Sequence, residues 1–283
     1  MRFYLIMATL HRVSEVERFL ASLESQDYRD FELVTIDQNS DDRLLKIITQ
    51  YQRCFRIQHI RRFPPGTSRA RNEGLRHAKG DIVGFPDDDC LYPPGFLSKV
   101  AEFFQTNSRD GLSVRILDID RDEDAFGFGL PHSTVINANN NAWAVGITPS
   151  MFLRQSIAAQ VMFDENMGPG QRWVGGEDTD YLLRCLDKGA RHYYSHELFV
   201  HHPSPNRVYP LRLLIRRAYT YGRGFGYLMG KRKLDRAIVR AQLLEPFALT
   251  GKALVKGQFR QALTFPGMGV GRLIGYRESQ KQP

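Results

Sequence analysis

The sequence predicts an α/β fold: a mostly parallel mixed sheet flanked by helices, followed by a basic helical tail. Three observations lead there. Short apolar runs of strand character alternate with segments of helical spacing through the first hundred residues, an order that builds a parallel sheet. Those runs end in polar residues, at Thr9, Asp37 and Asp87-Asp88-Asp89. Finally, residues 207–283 carry 16 Lys/Arg against 3 Asp/Glu, whereas residues 1–206 carry 23 against 28.

Residues 3–9 are apolar and form a first strand. Val13, Val16, Phe19, Leu20 and Leu23 share one face of a helix over 13–26. Residues 31–37 are a second strand ending in an acid, and Asp41 to Tyr51 reads as a helix. A third strand covers Arg56 to Arg62, and a helix over Thr67 to Ala78 carries Ser68, Arg69 and Arg71 in its first turn. Residues 81–86 are a fourth strand, running into the aspartates. Pro93-Pro94 open the next helix, which ends near Phe104. The stretch 110–173 is less regular, with an Asn-rich loop at Asn137 to Asn141. Gly175-Gly176-Glu177-Asp178 opens a helix that stops at Gly189. His192 to Val200 is a strand leading into His201-His202, and from Tyr209 the chain is helical and basic. The expected division is a domain over 1–206 and a basic region over 207–283.

Hydrophobic content of 42% and charged content of 25% are those of a globular protein and exclude collagenous or disordered classes. Three scattered cysteines form no disulfide framework or metal-ligand pair and point to a reducing, cytoplasmic setting. The opening apolar run is too short to span a membrane and lacks a clear secretory cleavage pattern. An acidic body with a basic tail suggests an anionic surface as the tail's partner. Such a tail, with Leu, Phe and Ile among its cations, reads either as a peripheral anchor on the inner face of the membrane or as a packed appendage with solvated charges.

Three consecutive aspartates at the end of a strand place hard oxygen ligands at a sheet rim, where a divalent cation or an arginine must offset their repulsion. In open α/β sheets ligands bind beyond the carboxyl ends of the strands, so Thr9, Asp37 and Asp87 to Asp89 should converge. The run Asp118 to Asp124 lacks the glycine and glutamate that an EF-hand needs at its sixth and twelfth positions; Glu123 and Gly129 stand there, and the run reads as a solvated loop. On the helix after the double glycine, Asp178 precedes Leu182 by four residues and shares its apolar face, whereas Asp180 should face outward and pair with Arg184.

Six blocks in order resemble the family-2 inverting glycosyltransferases of GT-A fold. Ala8-Thr9-Leu10-His11-Arg12 is similar to the family's Pro-Thr-Tyr-Asn-Arg turn. Ser22 to Gln26 follows its Ser-Leu-x-x-Gln, and Asp37 to Ser40 its Asp-x-x-Ser. Arg71-Asn72-Glu73-Gly74 lies in its Ala-Arg-Asn-x-Gly helix, and Asp87-Asp88-Asp89 is its Asp-x-Asp. Phe163-Asp164-Glu165 and Gly176-Glu177-Asp178 through Arg184 resemble the acceptor-side block. The resemblance implies that Thr9 and Asp37 hold the nucleotide base, and that Arg71 lies near base or phosphate. It places Asp87 on ribose or sugar and Asp88 in the nucleotide-sugar site. Asp89 would ligate Mg²⁺ or Mn²⁺, with His201 or His202 completing the shell and His201 the stronger candidate. Asp178 would be the general base, with Gly176, Glu177 and Trp173 on the acceptor side. Trp173 could equally be a core residue.

The chain departs from the pattern at Gln38, where a second acid is common, and at Leu10-His11. Gln171-Arg172-Trp173 echoes a motif of processive synthases, but precedes the Glu-Asp pair and has different spacing. The resemblance therefore implies single addition from a nucleoside-diphosphate sugar, UDP first among the bases, to a glycan or lipid-linked glycan. Two rivals stand beside it. One is nucleic-acid binding, invited by Gly222-Arg223-Gly224-Phe225-Gly226 and a pI near 9.5. The other is an inactive scaffold of the same fold.

Overall fold

The computed structural model describes residues 1–121, 123–126, 129–138 and 141–281. Asp122 of the acidic loop and Asn139 and Asn140 of the Asn-rich loop lie outside the described residues. The strands are β1 (Phe3–Thr9), β2 (Phe31–Asp37), β3 (Arg56–Arg61), β4 (Ile82–Gly84), β5 (Gly111–Asp118), β6 (Thr134–Ile136), β7 (Met151–Arg154) and β8 (His192–His202). The helices are α1 (Ser14–Glu24), α2 (Leu45–Tyr51), α3 (Thr67–His77), α4 (Phe96–Thr106), α5 (Ala142–Val145), α6 (Gln155–Ala158), α7 (Glu177–Asp187), α8 (Pro205–Val208), α9 (Leu211–Lys231), α10 (Arg236–Val255) and α11 (Phe259–Ser279). They form two compact units. One comprises Met1–Phe163 and Tyr181–Ser204; the other comprises Asp164–Asp180 and the chain from Pro205 onward.

The first unit is built on an eight-stranded sheet of order β3-β2-β1-β4-β7-β5-β8-β6. β3, β2, β1 and β4 run parallel, as do β5 and β8, while β7 is antiparallel to both its neighbours and β6 to β8. Strand order reverses between β1 and β4, which is where ligands bind in such sheets. The pleat divides the core into two. Phe3, Leu5 and Met7 of β1 face α1, α2 and α4, while Tyr4 and Ile6 face α3 and the Tyr181–Cys185 stretch of α7. A central strand buried on both faces loses the alternation of apolar and polar residues, as β1 does here.

The stretch 110–173 is more ordered than its sequence suggests, since it supplies β5, β6 and β7. In β5 the polar residues are absorbed locally. Ser113 meets His192 Nε2 at 2.9 Å, and Arg115 meets Asp124 at 3.3 Å. Nor is the acidic loop simply solvated, because Asp118 is buried and its carboxylate accepts the backbone N–H groups of Asp120 and Ser204.

In the second unit α9 packs along α11, and α10 packs on α11. The α9–α11 approach is close enough to require glycine. A Cβ on Gly226 would lie 2.0 Å from the Arg272 carbonyl oxygen, and one on Gly275 would lie 1.9 Å from that of Arg223. The Gly-Arg-Gly-Phe-Gly run is thus explained by helix packing: Gly222, Gly224 and Gly226 are all buried.

Candidate active site

At the carboxyl end of the sheet the first unit gathers four strand ends. Thr9 and Asp37 are register partners across β1 and β2. Beyond β4 the chain continues extended, so that Asp87 bridges to Ala8. Two backbone hydrogen bonds, Leu91 N–H to the His201 carbonyl at 2.8 Å and His201 N–H to the Leu91 carbonyl at 2.9 Å, clamp the aspartate loop to the end of β8.

That clamp decides which histidine faces the aspartates. Consecutive strand residues point to opposite sides, so with His201 held by its backbone against Leu91, the next side chain reaches the cluster. His202 Nε2 lies 3.1 Å from Asp89 Oδ1 and 3.7 Å from Asp87 Oδ2. The preference for His201 over His202 is corrected accordingly. One ligand atom each from Asp87, Asp89 and His202 lie within 4.8 Å of one another. His202 Nδ1 sits 2.8 Å from the Pro203 carbonyl. If a cation replaced the Nε2 proton, donation from Nδ1 to that carbonyl would hold the ring with Nε2 as acceptor, as in histidines that bind metals. Two carboxylates and an imidazole are a donor set that Mn²⁺ or Mg²⁺ accepts.

Arg12, unremarked in the sequence beyond its place in the first motif, is the arginine that the clustered aspartates call for. Its guanidinium is 2.6 Å from Asp88 Oδ1 and 2.5 Å from Asp89 Oδ2. It thus takes one oxygen of Asp89 while the other faces His202. Burial pushes the Asp88 carboxyl up to about 6 in spite of Arg12. For Asp89 burial acts the same way, but His202 and Arg12 outweigh it and bring the carboxyl down to about 2. Burial would lower His202, yet Asp87 and Asp89 raise it to about 10. Asp87 is the most open of the three and accepts from buried Arg71 at 3.0 Å. Arg71 in turn lies over the Phe163 ring.

Asp37 is fully buried at the end of β2. Its Oδ1 accepts from Asn39 N at 2.9 Å and Asn39 Nδ2 at 2.7 Å, and its Oδ2 is 2.9 Å from His59 Nε2. Burial opposes ionisation, and the His59 and Asn39 contacts outweigh it, so the carboxyl sits below its ordinary value. Asn39 Oδ1 also accepts from His11 N at 2.7 Å, holding that residue at φ 62. A left-handed non-glycine residue is strained, and such strain gathers at functional sites. Gln38, the departure from the family pattern, is buried and structural. Its Oε1 accepts from Gly66 N at 2.6 Å, at the start of α3. His59 and Asn39 carry no sequence signal of their own; only pairing of β2 with β3 brings His59 beside the acid.

The acceptor-side residues belong to the second unit. Asp178 is partly exposed in the first turn of α7, and Glu177 beside it is buried. Asp180 is fully buried, which corrects its outward placement beside Arg184. Lys231 Nζ reaches it at 3.0 Å and also takes Asp164 at 2.7 Å. Trp173 is 2% exposed and stacks on Tyr227 at 4.1 Å, with the Arg172 and Arg223 guanidinium groups within 5 Å of its ring. It therefore packs the helical unit and does not offer an open face to a sugar. Gly176 has φ 83, a conformation that favours glycine, and a Cβ there would lie 3.4 Å from the Gly224 carbonyl oxygen.

The family model for Glycosyl transferase family 2 matches residues 4–161. An uncharacterized glycosyltransferase from Nostoc sp. is 26% identical over 171 residues, 57% of this chain and 53% of its own length. The poly(ribitol-phosphate) β-N-acetylglucosaminyltransferase TarS of Staphylococcus aureus is 27% identical over 137 residues, 47% of this chain and 23% of its own length. The matched stretch thus spans about half or less of these relatives. The structure of TarS 1-349 in complex with UDP superposes with a TM-score of 0.60 at 17% identity, covering 100% of this chain and 92% of that one. The mannosyltransferase PcManGT from Pyrobaculum calidifontis, in complex with GDP-Man and Mn²⁺, gives 0.65 at 17% identity, covering 99% and 87%. The fold is that of the GT-A glycosyltransferases, and the chain belongs to glycosyl transferase family 2.

Proposed function

We propose that this protein transfers a single hexose-type sugar from a nucleoside-diphosphate sugar to a glycan or lipid-linked glycan hydroxyl, with inversion, in surface-polysaccharide assembly. Residues 1–206 are read as the catalytic domain and 207–283 as its basic region. The observation that carries the reading is the convergence of Asp87, Asp89 and His202 where strand order reverses. Asp89 and His202, with Asp87, would hold Mn²⁺ or Mg²⁺. A cation bound there supplies positive charge to the departing diphosphate.

The chain's own residues do the rest. Thr9 and Asp37 bind the base, Asp37 being kept ionised and oriented by His59 and Asn39. Arg71 lies near the phosphates and steadies Asp87 against the ribose or sugar. Arg12 keeps Asp88 and Asp89 from repelling one another. Asp178 takes the proton of the attacking hydroxyl, a general-base role that needs one carboxylate and no covalent nucleophile. UDP is the preferred nucleotide because TarS is seen with UDP; the Mn²⁺ of PcManGT supports the metal.

The test is sugar transfer and nucleotide binding measured side by side with Mn²⁺. Asp178→Asn should keep Mn²⁺-dependent UDP binding while transfer falls by about two orders of magnitude or more. Asp89→Ala should lose the Mn²⁺-dependent part of UDP binding. Wild-type turnover in Asp178→Asn overturns the base assignment. UDP binding that ignores both Mn²⁺ and Asp89→Ala overturns the metal site.

A further inference from the structure

Helix α10 is apolar on two sides. Val239, Pro246 and Ala253 lie on one side and are buried against α11. Clear of these stand Leu244, Phe247, Leu254 and Val255, exposed by 55, 50, 52 and 90%. At 100° per residue these four fall within about a third of the helix circumference, so they form one stripe. The stripe continues onto α11 through Phe259 and Leu263, exposed by 66 and 55%. The two helices share this surface, since a Cβ on Gly269 of α11 would lie 2.8 Å from the Phe247 ring. Six exposed large apolar side chains on one hairpin are more than a soluble surface scatters singly.

The charge around the stripe is mainly positive. Arg240, Lys252 and Lys256 are exposed beside it. The chain beyond residue 206 has only three acids, and each is engaged. Asp235 caps α10 by accepting from Ala237 N at 2.7 Å, Glu245 pairs with Arg272 at 2.8 Å, and Glu278 pairs with Arg223 at 2.7 Å. Among the described residues beyond 206, no acidic side chain is left over to neutralise the cations that border the stripe.

We propose that the α10–α11 hairpin lies on an anionic lipid surface, its Leu244–Leu263 stripe in the headgroup boundary and Arg240, Lys252 and Lys256 against the lipid phosphates. Charge complementarity selects this occupant. A second copy docked through the same patch would set these cations against their own equivalents. Nucleic acid would leave Leu244, Leu254, Val255 and Leu263 without apolar cover. Among the described residues no helix is long and apolar enough to cross a membrane, so the contact is interfacial. The proposal does not depend on the catalytic reading.

The experiment is co-sedimentation of the full chain with phosphatidylglycerol–phosphatidylcholine vesicles and with phosphatidylcholine vesicles alone, at low and high salt. The anionic vesicles should retain the protein about tenfold better, less so in high salt. A Leu254→Glu, Phe259→Glu double variant should lose that retention. Both side chains are exposed, and an unchanged circular dichroism spectrum verifies the fold. Lys252→Glu with Lys256→Glu should weaken binding and flatten its salt dependence. Equal retention on both vesicles, or undiminished binding by the Leu254/Phe259 variant, overturns the proposal. So does a dimer in light scattering that Leu254→Glu dissociates, or retention on RNA without retention on vesicles.

Discussion

Two of the clusters in which carboxylates meet cations are built to opposite ends. In the first, Asp87, Asp88 and Asp89 face Arg12, Arg71 and His202 at the carboxyl end of the sheet. Asp87 is 32% exposed there, and Asp88 and Asp89 are driven apart to about 6 and about 2. In the second, Asp164 and fully buried Asp180 share the single ammonium of Lys231. The first keeps three acids in sequence, more than packing needs, and keeps one of them open. The second holds two acids from different segments around one cation and closes over one of them. Carboxylates in series at a strand end, one of them left open, suit a diphosphate site with a divalent cation. A closed cluster, with two acids on one ammonium, suits a clasp between a loop and a helix.

The sharpest break between the two is stability. Lys231→Met takes the shared ammonium from Asp164 and from buried Asp180, and breaking a buried pair costs about 3 kcal/mol. Urea unfolding should show that loss, while Mn²⁺-dependent UDP binding of the folded variant stays near wild type. Asp89→Asn also gives up buried contacts, to Arg12 and His202, so it is told apart by binding: it should abolish the metal-dependent part. If Lys231→Met leaves stability unchanged, the second cluster is not a structural clasp.

A finer distinction lies inside the first cluster. His202→Ala should weaken Mn²⁺ binding about ten- to a hundredfold, as loss of a ligand or its close support does. His201→Ala should change it little, because His201 enters the site through backbone bonds that alanine retains. Isothermal titration with Mn²⁺ in the presence of UDP separates the two. Equal losses would mean that strand alternation does not decide the ligand.

The adjacency of these histidines also marks where sequence reasoning stops. Alternating elements, strand-end acids and the aspartate triplet were all legible, because periodicity and composition are local. β1 and β2 appear over the residues expected. β5 was missed, although Leu112, Val114 and Ile116 alternate, because its partners β7 and β8 lie about 40 and 80 residues further along the chain and its polar residues read as loop. β7 is four residues long, too short for a period to show. His202 over His201, Arg12 on the aspartates and His59 on Asp37 depend on register between distant strands, which no local pattern encodes. Asp180 misled for a related reason. Its position four residues before Arg184 suggested a surface pair, and the lysine that buries it stands 51 residues away.

The pH dependence of stability tests how the first unit treats a polar group outside the strand-end cluster. His192, at the start of β8, is fully buried beside Gly111, and burial pushes its imidazole down to about 3. It is therefore neutral in the native state throughout the ordinary pH range, whereas in the unfolded chain it titrates near its usual value. Between those two values the unfolded state binds more protons, so stability rises with pH. The His192 contribution is fully present above about pH 6.5 and is lost as pH falls toward about 3, at about 1.4 kcal/mol per pH unit. Subtracting the pH–stability curve of His192→Gln from that of wild type isolates this slope from the carboxylates, which titrate in both. Glutamine keeps a polar group near Ser113 but has nothing to protonate, so the difference curve should slope through this window and level off above it. A flat difference curve would mean that water or a local opening reaches the imidazole, and that this end of β8 is looser than the clamp at its other end.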